Sequence, residues 1–187
     1  APAAGAARAP PPTTWIGDAH GRTVAVIDSD GGRVSMIHDR FGNLLRAVDR
    51  AGAITTHRYD ERGRCTHTGL PTGASIDYSW DALDRLAAVR LDNGATTTFT
   101  YADTSRAPAS VTDPVGGVTR LEWTNGLLVG TTNPVGVTLK LGYDAHGDLV
   151  SLTDSAGSVT RLVRDEAGRV VEATSPAGAA TTTTHDH

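Results

Sequence analysis

A chain of 187 residues with a formal net charge of −4 can form one domain or a quasi-linear array, and its mild acidity argues against a phosphate-binding surface. The single cysteine, Cys65, cannot form an internal disulfide, and no apolar run approaches the roughly 18 residues of a membrane span. Of the 17 cationic side chains only Lys140 is a lysine, which with the abundant Ala and Thr fits a GC-rich bacterial gene and carries no implication of a nucleic-acid partner.

Residues 1–14 are rich in Ala and Pro and hold no large apolar side chain. Pro10-Pro11-Pro12 removes three backbone donors and favours polyproline geometry, so this stretch is expected to be an extended linker or a strap. The chain opens at Ala1 with neither a charged n-region nor an apolar h-region; no signal peptide is visible, and the chain reads as a piece of a longer protein.

From Trp15 the sequence repeats every 21 residues. Asp18, Asp39, Asp60, Asp81, Asp144, Asp165 and Asp186 keep the interval, and Ala102 and Thr124 stand where two further aspartates belong. A second marker, Gly31, Gly52, Gly73, Gly94, Gly116, Gly136, Gly157 and Gly178, follows the same period independently. The array is therefore expected over 15–187, about eight units with a ninth beginning at 185.

Two turn signals divide each unit. The first is Asp-x-x-Gly, as in Asp18 to Gly21, Asp39 to Gly42, Asp60 to Gly63, Asp144 to Gly147 and Asp165 to Gly168. An aspartate accepts hydrogen bonds from N–H groups two or three residues on, and glycine takes the positive φ that closes the turn. The second places Pro or a polar residue two before the glycine, as in Pro71-Thr72-Gly73 and Pro134-Val135-Gly136. Each unit then reads strand, turn, strand, turn.

After the second glycine, residues at offsets three, five and seven are large or β-branched. Ile76, Tyr78 and Trp80 are one set, and Leu139, Leu141 and Tyr143 another, with polar residues between. One face of this strand thus lays a large side chain beside its counterpart in the next unit. The other strand breaks alternation: Leu44 with Ala47, Leu86 with Val89 and Leu149 with Leu152 are three apart, which suits a bulge or tight bend. About six residues between turns is too short for a helix.

Arg58-Tyr59-Asp60-Glu61-Arg62-Gly63-Arg64, Trp80-Asp81-Ala82-Leu83-Asp84-Arg85-Leu86, Tyr143-Asp144-Ala145-His146-Gly147-Asp148-Leu149 and Arg164-Asp165-Glu166-Ala167-Gly168-Arg169-Val170 resemble the Rhs/YD-repeat family, whose pattern is Tyr-Asp-x-x-Gly-Arg-Leu. The resemblance covers 15–187. It implies an all-β fold in which consecutive antiparallel hairpins form a curved, spiralling sheet, a segment of a hollow shell. In bacterial relatives and in insecticidal toxin-complex subunits the shell encloses a cleaved C-terminal toxin, and animal teneurins use a related barrel at cell surfaces. It implies a secreted or cell-surface location. The implied partners are the remainder of the parent chain, an enclosed C-terminal domain, and a secretion-apparatus or cell-surface partner.

The positions expected to be structural are Tyr59, Asp60, Gly63, Gly73, Trp80, Asp81, Gly94, Tyr101, Gly116, Trp123, Gly136, Tyr143, Asp144, Gly147, Gly157, Asp165, Gly168 and Gly178. Two units depart from the pattern. Tyr101-Ala102-Asp103-Thr104-Ser105-Arg106-Ala107-Pro108 lacks the head aspartate and the first glycine, and Trp123-Thr124-Asn125-Gly126 is one residue short, so altered turns are expected near 102–126.

No catalytic residue, metal site or cofactor is read from the sequence. Pro108 with Asp113-Pro114-Val115-Gly116 fits a string that the family associates with self-cleavage, yet repeats continue beyond it and Pro-x-Gly recurs at Pro134 and Pro176 as a plain turn. One carboxylate per turn is far from the 6 to 8 oxygens calcium takes. His38, His57 and His185 belong to the aromatic row, and His185-Asp186-His187 alone has local ligand character, which is weak. Cys65 replaces a leucine of the pattern and reads as a buried thiol.

Three functions compete: a wall around a sequestered domain, an adhesion or carbohydrate-binding module using exposed aromatics, and, last, an enzyme. Burial of the Tyr/Trp row between strands favours the first, and its exposure the second. A four-bladed propeller of paired units is the architectural rival, but odd and even units do not diverge into two types, which favours a continuous curved sheet.

Overall fold

The computed structural model describes residues 13–184, so the Ala/Pro-rich stretch up to residue 12 and the 185–187 cluster, with the start of a ninth unit, lie outside the described residues. By compactness the chain forms two units, one reaching Ser79 and including Val89–Ala95, the other made of Trp80–Ala88 and the residues from Thr96 onward. Among the described residues there are 17 strands and no helix.

The first unit is an antiparallel meander of β1 (Thr14–Gly17), β2 (Thr23–Ile27), β3 (Arg33–His38), β4 (Leu44–Val48), β5 (Ile54–Tyr59), β6 (Cys65–Gly69) and β7 (Ser75–Trp80), each strand pairing with the next. After β8 (Leu86–Leu91), the second unit repeats the plan through β9 (Thr96–Tyr101), β10 (Pro108–Thr112), β11 (Val118–Thr124), β12 (Leu127–Thr132), β13 (Thr138–Tyr143), β14 (Leu149–Asp154), β15 (Val159–Arg164), β16 (Val170–Thr174) and β17 (Ala180–Thr182). Two strands and two turns make one 21-residue repeat.

The two faces of each unit differ. Met36 opposite Ala47, His57 opposite Thr68 and Leu141 opposite Leu152 share one face, which is half-buried. Arg58 opposite His67, His67 opposite Asp77 and Lys140 opposite Thr153 share the other, polar face. Ala25, at 0% exposure, and Thr68, at 8%, are the buried apolar and polar side chains among the described residues, and no large side chain is fully buried. The core is therefore a half-covered stripe along one face rather than an interior.

The broken alternation is a bulge. Tyr143 faces Leu149 but Gly142 faces Ser151, so one extra residue is accommodated and Leu149 and Leu152 return to the same face. The same shift follows Ile37, Arg58, Glu122 and Val163, each time at the residue that heads a repeat. The sixth unit's short turn is a two-residue Asn-Gly hairpin, with φ of 51° at Asn125 and 80° at Gly126 and Thr124 facing Leu127. In the fifth, Ser105 N–H donates to Ala102 O at 2.9 Å and Asp103 adopts a φ of 42°.

Candidate functional site

The site is the recurring turn together with the side chain before it. At Asp60 the backbone closes when Gly63 N–H donates to Asp60 O and Asp60 N–H donates to Arg64 O, both at 3.0 Å. Gly63 holds a φ of 76°, which an L side chain would strain. The carboxylate finishes the turn: Oδ1 accepts from Arg62 N and Arg64 N at 3.0 Å each, and Oδ2 accepts from Arg64 Nε at 2.7 Å. The capped amides are two and four residues on, not two or three as expected, because the glycine between them spends its own N–H on the turn.

Asp81, Asp144 and Asp165 cap in the same way, the first through Leu83 N and Arg85 N at 2.9 Å, the second through His146 N and Asp148 N at 2.9 and 3.0 Å, the third through Ala167 N and Arg169 N at 3.0 and 2.9 Å. Gly147 and Gly168 close the latter two turns. At the opposite ends of the strands, Gly73, Gly94, Gly116, Gly136, Gly157 and Gly178 close the second turns with φ between 82° and 88°. Three of these turns, at Gly116, Gly136 and Gly157, and the turn closed by Gly52 carry the same cap, which the sequence reading missed. Asp49, Asp113, Asn133 and Asp154 each accept from two turn amides, and their Asx-x-x-Gly spacing was the available signal.

The residue heading each turn reaches back across its neighbour. Tyr59, Tyr101 and Tyr143 donate O–H to the carbonyls of Leu44, Leu86 and Leu128 at 3.0, 2.8 and 2.8 Å, in each pair 15 residues earlier. Trp123 Nε1 donates to Pro108 O at 2.8 Å, and Arg164 Nε to Leu149 O at 3.1 Å, over the same interval. Trp80 is half-buried at the end of β7. Burial pushes the phenols of Tyr59 and Tyr101 up, so they remain donors.

Arginines that follow the first turn form a second tie. Arg22 Nη1 donates to Asp39 O at 2.6 Å, one repeat ahead. Arg85 donates to the carbonyls of Asp103 and Ser105 at 2.7 and 2.8 Å while its guanidinium lies 4.3 Å over the Tyr101 ring. It thereby braces the one turn that lost both aspartate and glycine.

The remaining sequence candidates also lie in turns and strand pairs. Asp113 Oδ1 caps Val115 N and Gly117 N at 3.0 and 2.8 Å, so Asp113-Pro114-Val115-Gly116 is built as an ordinary turn. Cys65 is half-buried rather than buried, its Sγ 3.4 Å from His67 O, because it lies at the start of β6 beside the turn. His57 Nδ1 lies 3.1 Å from Thr68 Oγ1. No three His, Cys, Asp or Glu side chains among the described residues group as metal ligands.

A family model described as RHS Repeat matches residues 17–54, 38–75, 59–96, 80–118 and 143–180. No curated protein matches the chain. Similar solved structures include the crystal structure of TcdB2-TccC3 without hypervariable C-terminal region, at 17% identity and a TM-score of 0.61 over 94% of this chain and 12% of that one. TcdB2-TccC3 gives 17% and 0.60 over 94% and 11%, and TcdB2-TccC3-TEV gives 18% and 0.54 over 91% and 12%. The chain spans about 12% of the length of those structures, and at such identities the likeness is one of fold.

Proposed function

Because this chain belongs to the RHS repeat family, we propose that it is a stretch of wall in an Rhs-type β-shell that encloses a C-terminal effector domain of its parent protein. The observation that carries this reading is that the signature side chains of the repeat are spent inside it: the tyrosines hold carbonyls one hairpin back and the aspartates hold their own turns. A glycan-binding row would need those rings free. In this reading the segment catalyses nothing, its partners are the rest of the parent chain and the enclosed domain, and it acts outside the cell that makes it, in secreted form or at the cell surface. One of the similar structures is that of TcdB2-TccC3 without its hypervariable C-terminal region, and a variable region at that end supports a cargo there.

Limited proteolysis of the full-length parent, read by mass spectrometry before and after denaturation, tests it. A C-terminal fragment should survive natively and be digested once the array unfolds. Digestion of everything downstream at once would make the array an open scaffold.

A further inference from the structure

Arg22, Arg64, Arg85 and Arg169 each stand four residues after the aspartate of a first turn and donate Nε to its Oδ2 at 2.7 or 2.8 Å. Arg22 and Arg85 go on to the next turn. Arg22 Nη1 meets Asp39 O at 2.6 Å, and Arg85 Nη1 meets Asp103 O and Ser105 O with Cζ 4.3 Å from the centre of the Tyr101 ring. The turn at Asp39 carries Asn43 in that place. Its Nδ2 donates to Asp39 Oδ2 at 2.8 Å, but the amide ends where a guanidinium would go on. Beyond it, between this turn and the one at Asp60, the first unit holds an open pocket of about 570 Å³ whose lining includes Asp39, Tyr59 and Asp60. Asp60 stands to Asn43 as Asp39 stands to Arg22, and Tyr59 stands to Asn43 as Tyr101 stands to Arg85. A head carbonyl serves two donors: Asp39 O takes Gly42 N–H at 3.1 Å as well as Arg22, and Asp60 O, which takes Gly63 N–H at 3.0 Å, has a second lone pair. The turn at Asp144 also lacks the arginine, but Arg164 heads the repeat after it and brings a guanidinium of its own, Nη1 donating to Gly168 O at 2.7 Å.

We propose that this pocket binds the guanidinium of an arginine side chain presented by a basic partner protein. The arriving group takes the three partners that Arg22 and Arg85 use in their own places: the aspartate carboxylate, the next head carbonyl and the next head ring. Charge favours it. Asp18, Asp60, Asp81 and Asp165 are paired with their arginines, whereas Asp39 is in no ion pair among the described residues. Asp39 and Glu61 on the lining face one cation there, Arg62. Phe41, 74% exposed, adds an apolar wall for the methylene stem, and Arg40 of the same turn is already placed with Cζ 4.6 Å from that ring's centre. A free amino acid would bring an α-carboxylate that this lining repels, so the arginine is one within a polypeptide. A second copy of this chain, with its net charge of −4, is the poorer source. The site does not rest on the shell reading and stands or falls apart from it.

Titration of the isotope-labelled whole chain with acetylargininamide, and with its neutral isostere acetylcitrullinamide, tests the site by NMR at Gly63 N–H and the Asn43 side-chain amide. The arginine probe should shift both signals saturably and bind at least about tenfold more tightly than the citrulline probe. Glu61→Arg, at a position where the preceding turn already holds Arg40, leaves the turn intact and should weaken binding at least about tenfold. Asn43→Arg supplies the guanidinium from within, so it should raise the urea midpoint of the chain and abolish the response at Gly63. Affinities for the two probes within about twofold, a response that survives Asn43→Arg, or a lowered urea midpoint in that variant overturns the proposal. Sedimentation velocity separates the sources: a saturating arginine probe should leave the mass of the chain unchanged, and a fall in mass on its addition would make the occupant a second copy and overturn the assignment to a partner.

Discussion

At the scale of one residue, Tyr143 shows how a sheet with almost no interior keeps its repeats in register. Its ring is half-buried and its hydroxyl donates to Leu128 O at 2.8 Å, next to the bulge where Trp123 faces Leu128. Bulges interrupt the ladder, so a side-chain donor there replaces a bond the backbone gives up. Tyr143→Phe keeps the packing and removes only the hydroxyl. It is expected to cost about 0.5–1.5 kcal/mol in urea unfolding of the whole chain, the usual net value of one hydrogen bond. Stability unchanged within about 0.2 kcal/mol would mean that water serves the carbonyl equally well and that the row holds by packing alone.

At the scale of the element, turn and strand are bound by ionised carboxylates, and this sets their response to acid. The Arg22 side chain, ahead of the opposing desolvation, holds Asp18 down to about 2. Asp60 is lowered first by the Arg64 side chain, and Asp81, Asp144 and Asp165 first by turn amides at Arg85, Asp148 and Arg169. A carboxyl whose pKa is depressed by folding contributes stability above its unfolded value, near 3.9, and loses it as pH falls through the folded value. The array should therefore hold its strand signal in far-UV circular dichroism down to about pH 4 and lose it between about pH 4 and pH 2. A midpoint above pH 5 would assign the transition to other groups.

Elements were legible where the signal is local. The Asp-x-x-Gly turns follow from spacing, and the three-residue offset of Leu149 and Leu152 reads as a bulge because period two fails there. The ties between repeats were hidden for a physical reason: Tyr143 and Arg22 end on backbone carbonyls 15 and 17 residues away, and every residue has a carbonyl, so the acceptor has no letter in the sequence. The caps at Asp49 and Asp154 were legible but masked by Pro-x-Gly in other units, which drew attention to the wrong turn position.

At the scale of the whole molecule, no large side chain among the described residues is fully buried. Side chains that would form an interior elsewhere, Leu141 and Leu152 among them, are only half-covered here. The strands at the rims, β1 and the three-residue β17, are short, which limits but does not remove the unpaired edge that invites a further strand. In a repeat array each unit is stabilised by its neighbours, so a unit without one on either side is the first to open. The chain alone should therefore associate: sedimentation velocity is expected to give an average mass above 19.4 kDa at tens of micromolar that falls on dilution. A single monomer boundary at all concentrations, together with one cooperative melt, would show that the half-covered face and its edges need no partner.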